Sequence, residues 1–387
     1  MRFIHVGDTH IGKVYKDERR NEDVKDSFRQ LIDYAIKNRP DFIVHAGDLF
    51  NEGDPSLNDL LFVTDELNKL RQNGIKIFIV PGSHDIGMGE EDSIVELFDR
   101  NGLLVNLNSK RYIKYTDEGV MLRGETYHNA FICGIRGKRS RVEDEIFKKL
   151  KIASSDPAWI KIFLFHHTIS SLGEQFKDLD TESLPTGFNY YAAGHWHGHR
   201  DNIHYNGGVI QYPGSTEYCD EKEMVDNPDR GFYVVDYGSE GITGMEYVKL
   251  KTRERDIFRI NCDGRSADEI ESEAKALMKK NYGKLLIIKL EGKMRGQRGE
   301  LDVASVKNCA LSNGYVYVSV NSSKLSDKDA TSITLQSKDI ASVEKEFLKA
   351  KGYSDKEIEL ADFMMSAAET KSDISGVIKR IEDAMRQ

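Results

Sequence analysis

Over the first hundred residues short apolar runs alternate with amphipathic stretches: RFIHVGD, DSFRQLIDYAIKN, PDFIVHAGD, LNDLLFVTDELNKLRQN and IKIFIVPGSHD. Compact apolar runs closed by Gly and Asp predict buried strands, and apolar positions three and four apart predict helices. The order is therefore strand, helix, strand, helix, strand, with right-handed crossovers over a largely buried sheet. Three of the strands end on polar residues suited to chemistry, at the edge where α/β sheets hold ligands.

Beyond Gly102 the pattern turns strand-rich, around Leu104, Val120 to Leu122 and Phe131 to Gly134, with a helical interlude near Glu143 to Lys151. IKIFLFHH, FNYYAAGHWH, GGVIQYPGS and GFYVVDY follow, each strand-like with turn residues between them. Residues 1–240 thus read as one α/β domain, a two-layered β-sandwich flanked by helices. From about Glu246 the texture changes. Strand DIFRINCD, helix SADEIESEAKALMKKN, strand KLLIIKLEG, helix DVASVKNCALS and strand YVYVSVN predict a smaller α+β unit over 246–321. The polar stretch 322–339 reads as a linker, and 340–387 as short amphipathic helices. Such helices cannot bury their apolar faces alone, so a docking partner is expected.

Charge and composition exclude several classes. A net charge of -9 argues against indiscriminate polyanion binding by the whole surface, so any nucleic-acid site has to be local. Bound cations would offset that count in a metal-dependent enzyme. No run suits a membrane span, and the start MRFIHVGDTH has no basic region followed by a long apolar stretch, so a cytoplasmic protein is expected. Cys133, Cys219, Cys262 and Cys309 are scattered without metal-finger spacing and read as reduced thiols with no functional signal.

Five pieces carry the chemistry: Gly7-Asp8-Thr9-His10, Gly47-Asp48-Leu49-Phe50, Gly82-Ser83-His84-Asp85, Phe165-His166-His167 and Gly194-His195-Trp196-His197. Carboxylate oxygens and neutral imidazoles suit Mn²⁺, Fe²⁺ or Zn²⁺, and the lack of a thiolate among them removes the usual reason to expect a structural zinc. In DxH and HxH the middle residue points away, so both flanking side chains can converge on one ion. A pair of ions about 3.5–4 Å apart needs a bridging carboxylate, for which Asp48 is the natural choice. Either His166 or His167 can face such a site from a strand end.

These motifs, in this order, resemble the calcineurin-like metallophosphoesterases, whose pattern is DxH, GD, GNH(D/E), H and GHxH. VGDTHIG, HAGDLF, GHWH, YPGS at Tyr212 to Ser215 and GFYVVD at Gly231 to Asp236 narrow the resemblance to the archaeal type of the meiotic recombination eleven family, called SbcD in bacteria. The resemblance implies a two-metal DNA nuclease with two Mn²⁺ per subunit, working in double-strand-break repair as a double-strand exonuclease and single-strand endonuclease. It implies Asp8, His10, Asp48 and His197 on one ion and Asp48, His166 and His195 on the other. His84 becomes the proton donor, with Asp85 orienting its imidazole. Two positions depart from the pattern: the family's Asn ligand of the second ion is Ser83, a poorer oxygen donor, and a second His after GDLF is Asn51.

The resemblance also makes the α+β unit a capping domain. It implies a homodimer through helices carrying Leu57, Leu60, Leu61, Ile94, Leu97 and Phe98, and an SMC-like ATPase of the Rad-fifty type held by the C-terminal helices. That last surface carries Phe347, Leu348, Ile358, Leu360, Phe363, Met364 and Met365. Arg136, Lys138, Arg139 and Arg141 form a basic run after a strand, a candidate DNA contact, as are Lys293, Arg295 and Arg298. His5, His45, His128, His199 and His204 read as packing or surface residues. The competing functions are a phosphoesterase acting on nucleotides or phosphoproteins, and a scaffold for the ATPase with a weakened nuclease site.

Overall fold

The computed structural model describes residues 1–14, 18–87, 92–116, 118–137, 143–153, 157–226, 229–281 and 283–327, with positions 349, 354, 356 and 358. Lys138, Arg139 and Arg141, and the C-terminal apolar set other than Ile358, lie outside these residues. The described chain forms two compact units, one of Met1–Ile260, Ser272–Lys289 and Val303–Asn321, the other of Asn261–Glu271, Leu290–Asp302 and the described residues from Ser322 on.

The first unit opens as the hydrophobic pattern predicts: β1 (Arg2–Val6), α1 (Arg19–Asn38), β2 (Phe42–His45), α2 (Leu57–Gln72), β3 (Lys76–Ile79), α3 (Val95–Arg100) and β4 (Val105–Asn106). Next come β5 (Ile113–Thr116), β6 (Gly119–Arg123), β7 (Glu125–Tyr127), β8 (Ala130–Ile135), α4 (Glu143–Lys148), β9 (Leu150–Ala153) and β10 (Ile160–His166). The sandwich finishes with β11 (Tyr190–Gly194), β12 (Arg200–Tyr205), β13 (Gly208–Tyr212), α5 (Glu221–Asp226), β14 (Gly231–Gly238) and β15 (Gly241–Lys249).

One sheet runs β15-β14-β1-β2-β3-β4, with β1 to β4 parallel, and the other β12-β13-β11-β10-β8-β7, with β13, β11, β10 and β8 parallel. Alternation along the strands sorts their side chains. Phe3, Phe42, Val44 and Phe78 face Ile132, Ile162, Leu164 and Tyr190 between the sheets. Ile4, Ile43 and Ile77 face α1 and α2 through Phe28, Leu31, Val63 and Leu67. Each such fully buried side chain contributes about 1.5–3 kcal/mol. The outer face of the second sheet is covered as well: Phe163, Phe165 and Tyr191 pack with Ile113, Val120 and Leu122 of a small third sheet, β5-β6-β9.

Helix α1 begins seven residues before the amphipathic stretch DSFRQLIDYAIKN that predicts it. The added turns are polar, and what holds them is long-range: buried Arg20 pairs with Asp23 and reaches Glu217 at 3.0 Å. Of the six apolar residues on α2 and around α3, Phe98 is core and Leu60 and Ile94 are half-buried. Leu57, Leu61 and Leu97 are exposed, at 69%, 54% and 48%.

Further along, β16 (Arg255–Asn261), α6 (Ala267–Leu277), β17 (Leu285–Lys293), α7 (Val303–Ser312) and β18 (Tyr317–Ser326) form a three-stranded sheet in the order β16-β17-β18, with two helices. The last strand continues through the Ser-Ser-Lys stretch read from sequence as the start of a linker. Alternating buried Tyr317, Ser319 and Leu325 explain why it remains a strand there. Arg295 and Arg298 lie 3.4 and 3.7 Å from the carboxylates of Glu269 and Asp327. Among the described residues no helix is long and apolar enough to cross a membrane.

Candidate metal centre

Each of the five motifs leaves the C-terminal end of a parallel strand: β1, β2 and β3 in one sheet, β10 and β11 in the other. The chain bends sharply there. Asp8, His10, Asp48 and His195 all take left-handed backbone conformations, with φ of 53°, 46°, 54° and 81°. Such residues cost about 1–3 kcal/mol each and persist only where surrounding bonds over-determine them. Here the Asp8 N–H donates to the Gly47 carbonyl at 2.9 Å and the His10 N–H to the Asp48 carbonyl at 3.0 Å. Glycines allow the close approach. A Cβ on Gly47 would lie 2.4 Å from His166 Nδ1, and one on Gly82 would lie 2.1 Å from Asp48 Oδ1.

Asp48 sits at the centre, almost fully buried. Its Oδ2 is 3.1 Å from His166 Nε2 and 3.7 Å from His10 Nε2, while Oδ1 accepts the His84 N–H at 2.8 Å. Ligand atoms of His10, Asp48 and His84 lie within 4.8 Å of one another, and so do those of Asp48, His166 and His195. On the first side His10 Nε2 is 3.0 Å from His197 Nε2, and Asp8 Oδ1 is 3.9 Å from His197 Nε2. The Asp8 carboxylate accepts the His195 N–H at 3.0 and 3.1 Å. The middle residues turn away as expected: Thr9 bonds to His45 at 3.1 Å, and Trp196 packs against Phe176 with ring centres 5.0 Å apart.

Strand parity resolves His166 from His167. Ile162 and Leu164 of β10 face the space between the sheets, and His166 continues that face toward Asp48. His167 continues the face of Phe163 and Phe165 and packs on Phe147, ring centres 5.1 Å apart. One expectation is corrected. Asp85 does not orient His84: its carboxylate, fully buried, accepts the N–H groups of Leu49, Phe50 and Gly82 at 3.2, 2.9 and 2.8 Å and ties two motif loops together. The His84 imidazole is held instead by the Asn51 carbonyl, 2.8 Å from Nδ1. Three short backbone bonds satisfy Asp85 so fully that its side chain has no reason to turn toward the ring.

The electrostatics match a cluster that awaits positive charge. Burial pushes Asp8 up to about 6 and Asp85, with Asp48 nearby, up to about 7. Burial acts the same way on Asp48, but His166, His10 and His84 outweigh it and hold its carboxyl well below the usual range. His166 shows the mirror image: burial would lower it, and Asp48 and Asp8 lift it to about 9. Burial and His166 together lower His195 to about 4. An ion that takes Nε2 of His166 displaces its proton, so acid disfavours loading.

Three residues carrying no motif signal also reach the site. His197 Nδ1 lies 2.6 Å from Glu223 Oε1, and the other oxygen of Glu223 accepts from Arg230 at 2.9 Å and from the Cys219 N–H at 2.8 Å. This carboxylate fixes the tautomer of His197 and leaves Nε2 facing the centre. Asp178, positioned by Thr168, lies 3.5 Å from His195 Nε2. The Cys219 thiol lies within 4.8 Å of ligand atoms of His10 and His197. Glu223 and Asp178 sit in acidic surface-like sequence, where no periodicity distinguishes them. Glu223→Gln should weaken metal binding roughly 10–100-fold, read by metal titration, with the circular dichroism spectrum unchanged. Unaltered affinity would mean that Glu223 only packs.

Divalent metal fits these residues. The donors are imidazole and carboxylate, the buried Ser83 Oγ has no hydrogen-bond partner, and His166 presents Nε2 to Asp48 because its Nδ1 is already taken by the Ala46 carbonyl at 2.7 Å. A buried carboxylate between two imidazole groups, set at the strand ends of a β-sandwich, suits a metal-dependent hydrolase. Residues 1–199 match the calcineurin-like phosphoesterase family, and the chain belongs to that family. It is similar to proteins named DNA double-strand break repair protein Mre11. That of Methanocaldococcus jannaschii is 31% identical, over 67% of this chain and 69% of its own. The Sulfolobus acidocaldarius protein is 27% identical over 93% of both chains, and the Thermoplasma acidophilum protein 26% over 98% of this chain and 97% of its own.

Proposed function

We propose that the protein is a manganese-dependent DNA nuclease of double-strand-break repair, a cytoplasmic enzyme that cuts phosphodiester bonds as a double-strand exonuclease and single-strand endonuclease. The observation that carries this is Asp48, held between His10 and His84 on one side and His166 and His195 on the other. The relatives similar over nearly the whole chain, which are named for DNA double-strand break repair, support DNA as the substrate. Asp8, His10, Asp48 and His197 would hold one Mn²⁺, and Asp48, Ser83, His166 and His195 the second. Bound there, the ions would supply an activated water and charge stabilisation at the phosphate.

The chain's own groups do the rest. The Asn51 carbonyl takes the Nδ1 proton of His84, so Nε2 is the position from which a proton passes to the departing sugar oxygen. Asp85 keeps the loop bearing His84 against the loop bearing Asp48. Arg136 lines a cleft of about 390 Å³ with Pro81, Asn108, Lys110 and Tyr115, beside the His84 loop, and this supports a role in gripping DNA. Incubating the protein and Mn²⁺ with a labelled duplex and a labelled single strand tests the reading. Release of mononucleotides or short fragments supports it; intact DNA beside rapid hydrolysis of a phosphomonoester would favour a small-substrate phosphoesterase.

Exposed Leu57, Leu61 and Leu97 support a homodimer. The SMC-like ATPase of the Rad-fifty type would be held by the C-terminal segment, whose apolar residues recur in sequence at a spacing that suits helices laid into a groove. Removing residues from Ser337 onward should abolish co-purification with that ATPase and leave Mn²⁺-dependent cleavage intact. Full retention of the ATPase by the shortened chain would refute this assignment.

A further inference from the structure

Cys219 reads from sequence as an inert thiol, yet the fold delivers it to the metal centre. The segment after β13 is laced to two motif loops: the Ser215 N–H donates to the His197 carbonyl at 3.3 Å and the Thr216 N–H to the Asp8 carbonyl at 3.3 Å. Two residues on, Ser215 Oγ donates to the Glu217 carbonyl at 2.9 Å, and the Cys219 N–H donates to the Glu223 carboxylate that holds His197. Cys219 is therefore pinned by the same group that sets the His197 tautomer. Its thiol is buried, bonded weakly to the Glu217 carbonyl at 3.6 Å and also to His197, and lies within 4.8 Å of donor atoms of both His10 and His197. Those two imidazoles already face one another at 3.0 Å.

We propose that Cys219 is a metal ligand, a thiolate donor to the ion held by His10 and His197, and that it biases this one position toward thiophilic ions such as Zn²⁺. The proposal rests on the metal assignment above but not on the substrate. Binding exchanges the S–H bond for a metal–sulfur bond and releases the proton to solvent. Imidazole and carboxylate alone do not separate Zn²⁺ from Mn²⁺ by softness, whereas one thiolate does. The two positions then differ: the Asp48, His166 and His195 side keeps only nitrogen and oxygen donors. Zn²⁺ should accordingly displace one ion tightly and the other weakly.

The test uses the full-length protein loaded with Co²⁺, with bound cobalt counted by mass spectrometry. The expected result is the near-ultraviolet charge-transfer absorption of a cobalt–thiolate bond, lost in Cys219→Ser while the cobalt count is kept. In competition between Zn²⁺ and Mn²⁺, the wild type should take up one Zn²⁺ per chain, and the substitution should lower that preference at least about tenfold, as expected for loss of a soft donor. Cobalt bound without the charge-transfer band would overturn the proposal and leave the metal centre standing, with Cys219 a packing group. Failure to bind cobalt at all would overturn both. The wild-type spectrum decides the matter even if the variant folds poorly.

Discussion

Asp48→Asn is expected to reduce phosphodiester cleavage by about 10²–10³-fold, since it removes charge from the carboxylate proposed to be shared by two ions, and a single lost electrostatic donor at such a centre costs about that much. Asparagine keeps an acceptor for the His84 N–H at 2.8 Å, so the loop has no geometric reason to move. What changes is charge: His166 loses the counter-charge at 3.1 Å, and the ions proposed here would lose their anionic bridge. Metal titration should show both positions weakened together. Loss of only one ion, or near-normal cleavage, would remove Asp48 from the bridging role.

His84→Ala is expected to lower the rate roughly 10²–10⁴-fold with metal content unchanged, the range for a positioned general acid. The ring lies 5.0 Å from that of His10, and its Nδ1 is committed to the Asn51 carbonyl. Ligand-range proximity to His10 and Asp48 makes the competing assignment concrete. Should the variant lose an ion in proportion to its loss of rate, His84 is a ligand and the proton comes from elsewhere. A substrate with a better leaving group separates the cases further, because a missing acid is partly rescued by it and a missing metal is not.

The five motifs were legible because each is a local signal: an apolar strand with a candidate ligand at its C-terminal end, in four of the five beside a glycine that permits the bend. The two-layered sandwich was legible for the same reason, since a near-continuous apolar run specifies a strand buried on both faces. His166 against His167 stayed open only while the face of β10 was unknown. Once Leu164 points between the sheets, parity assigns both histidines.

Other features depend on partners distant in sequence. The polar first turns of α1 exist because Arg20 meets Glu217, and His84 is steered by Asn51 because Asp85 is consumed by three backbone N–H groups. Glu223 lies 26 residues from His197, and no periodicity distinguishes it from the neighbouring acidic residues on the short helix α5.

By itself, then, the sequence determined the succession of strands and helices along the chain and the candidate histidine and aspartate donors, because burial pattern and strand-end chemistry are written in neighbouring residues. Only the tertiary structure decided which groups orient those donors and that Cys219 stands among them. Those contacts form between loops that meet in space after both sheets have closed, and a pattern read along one dimension carries no record of them.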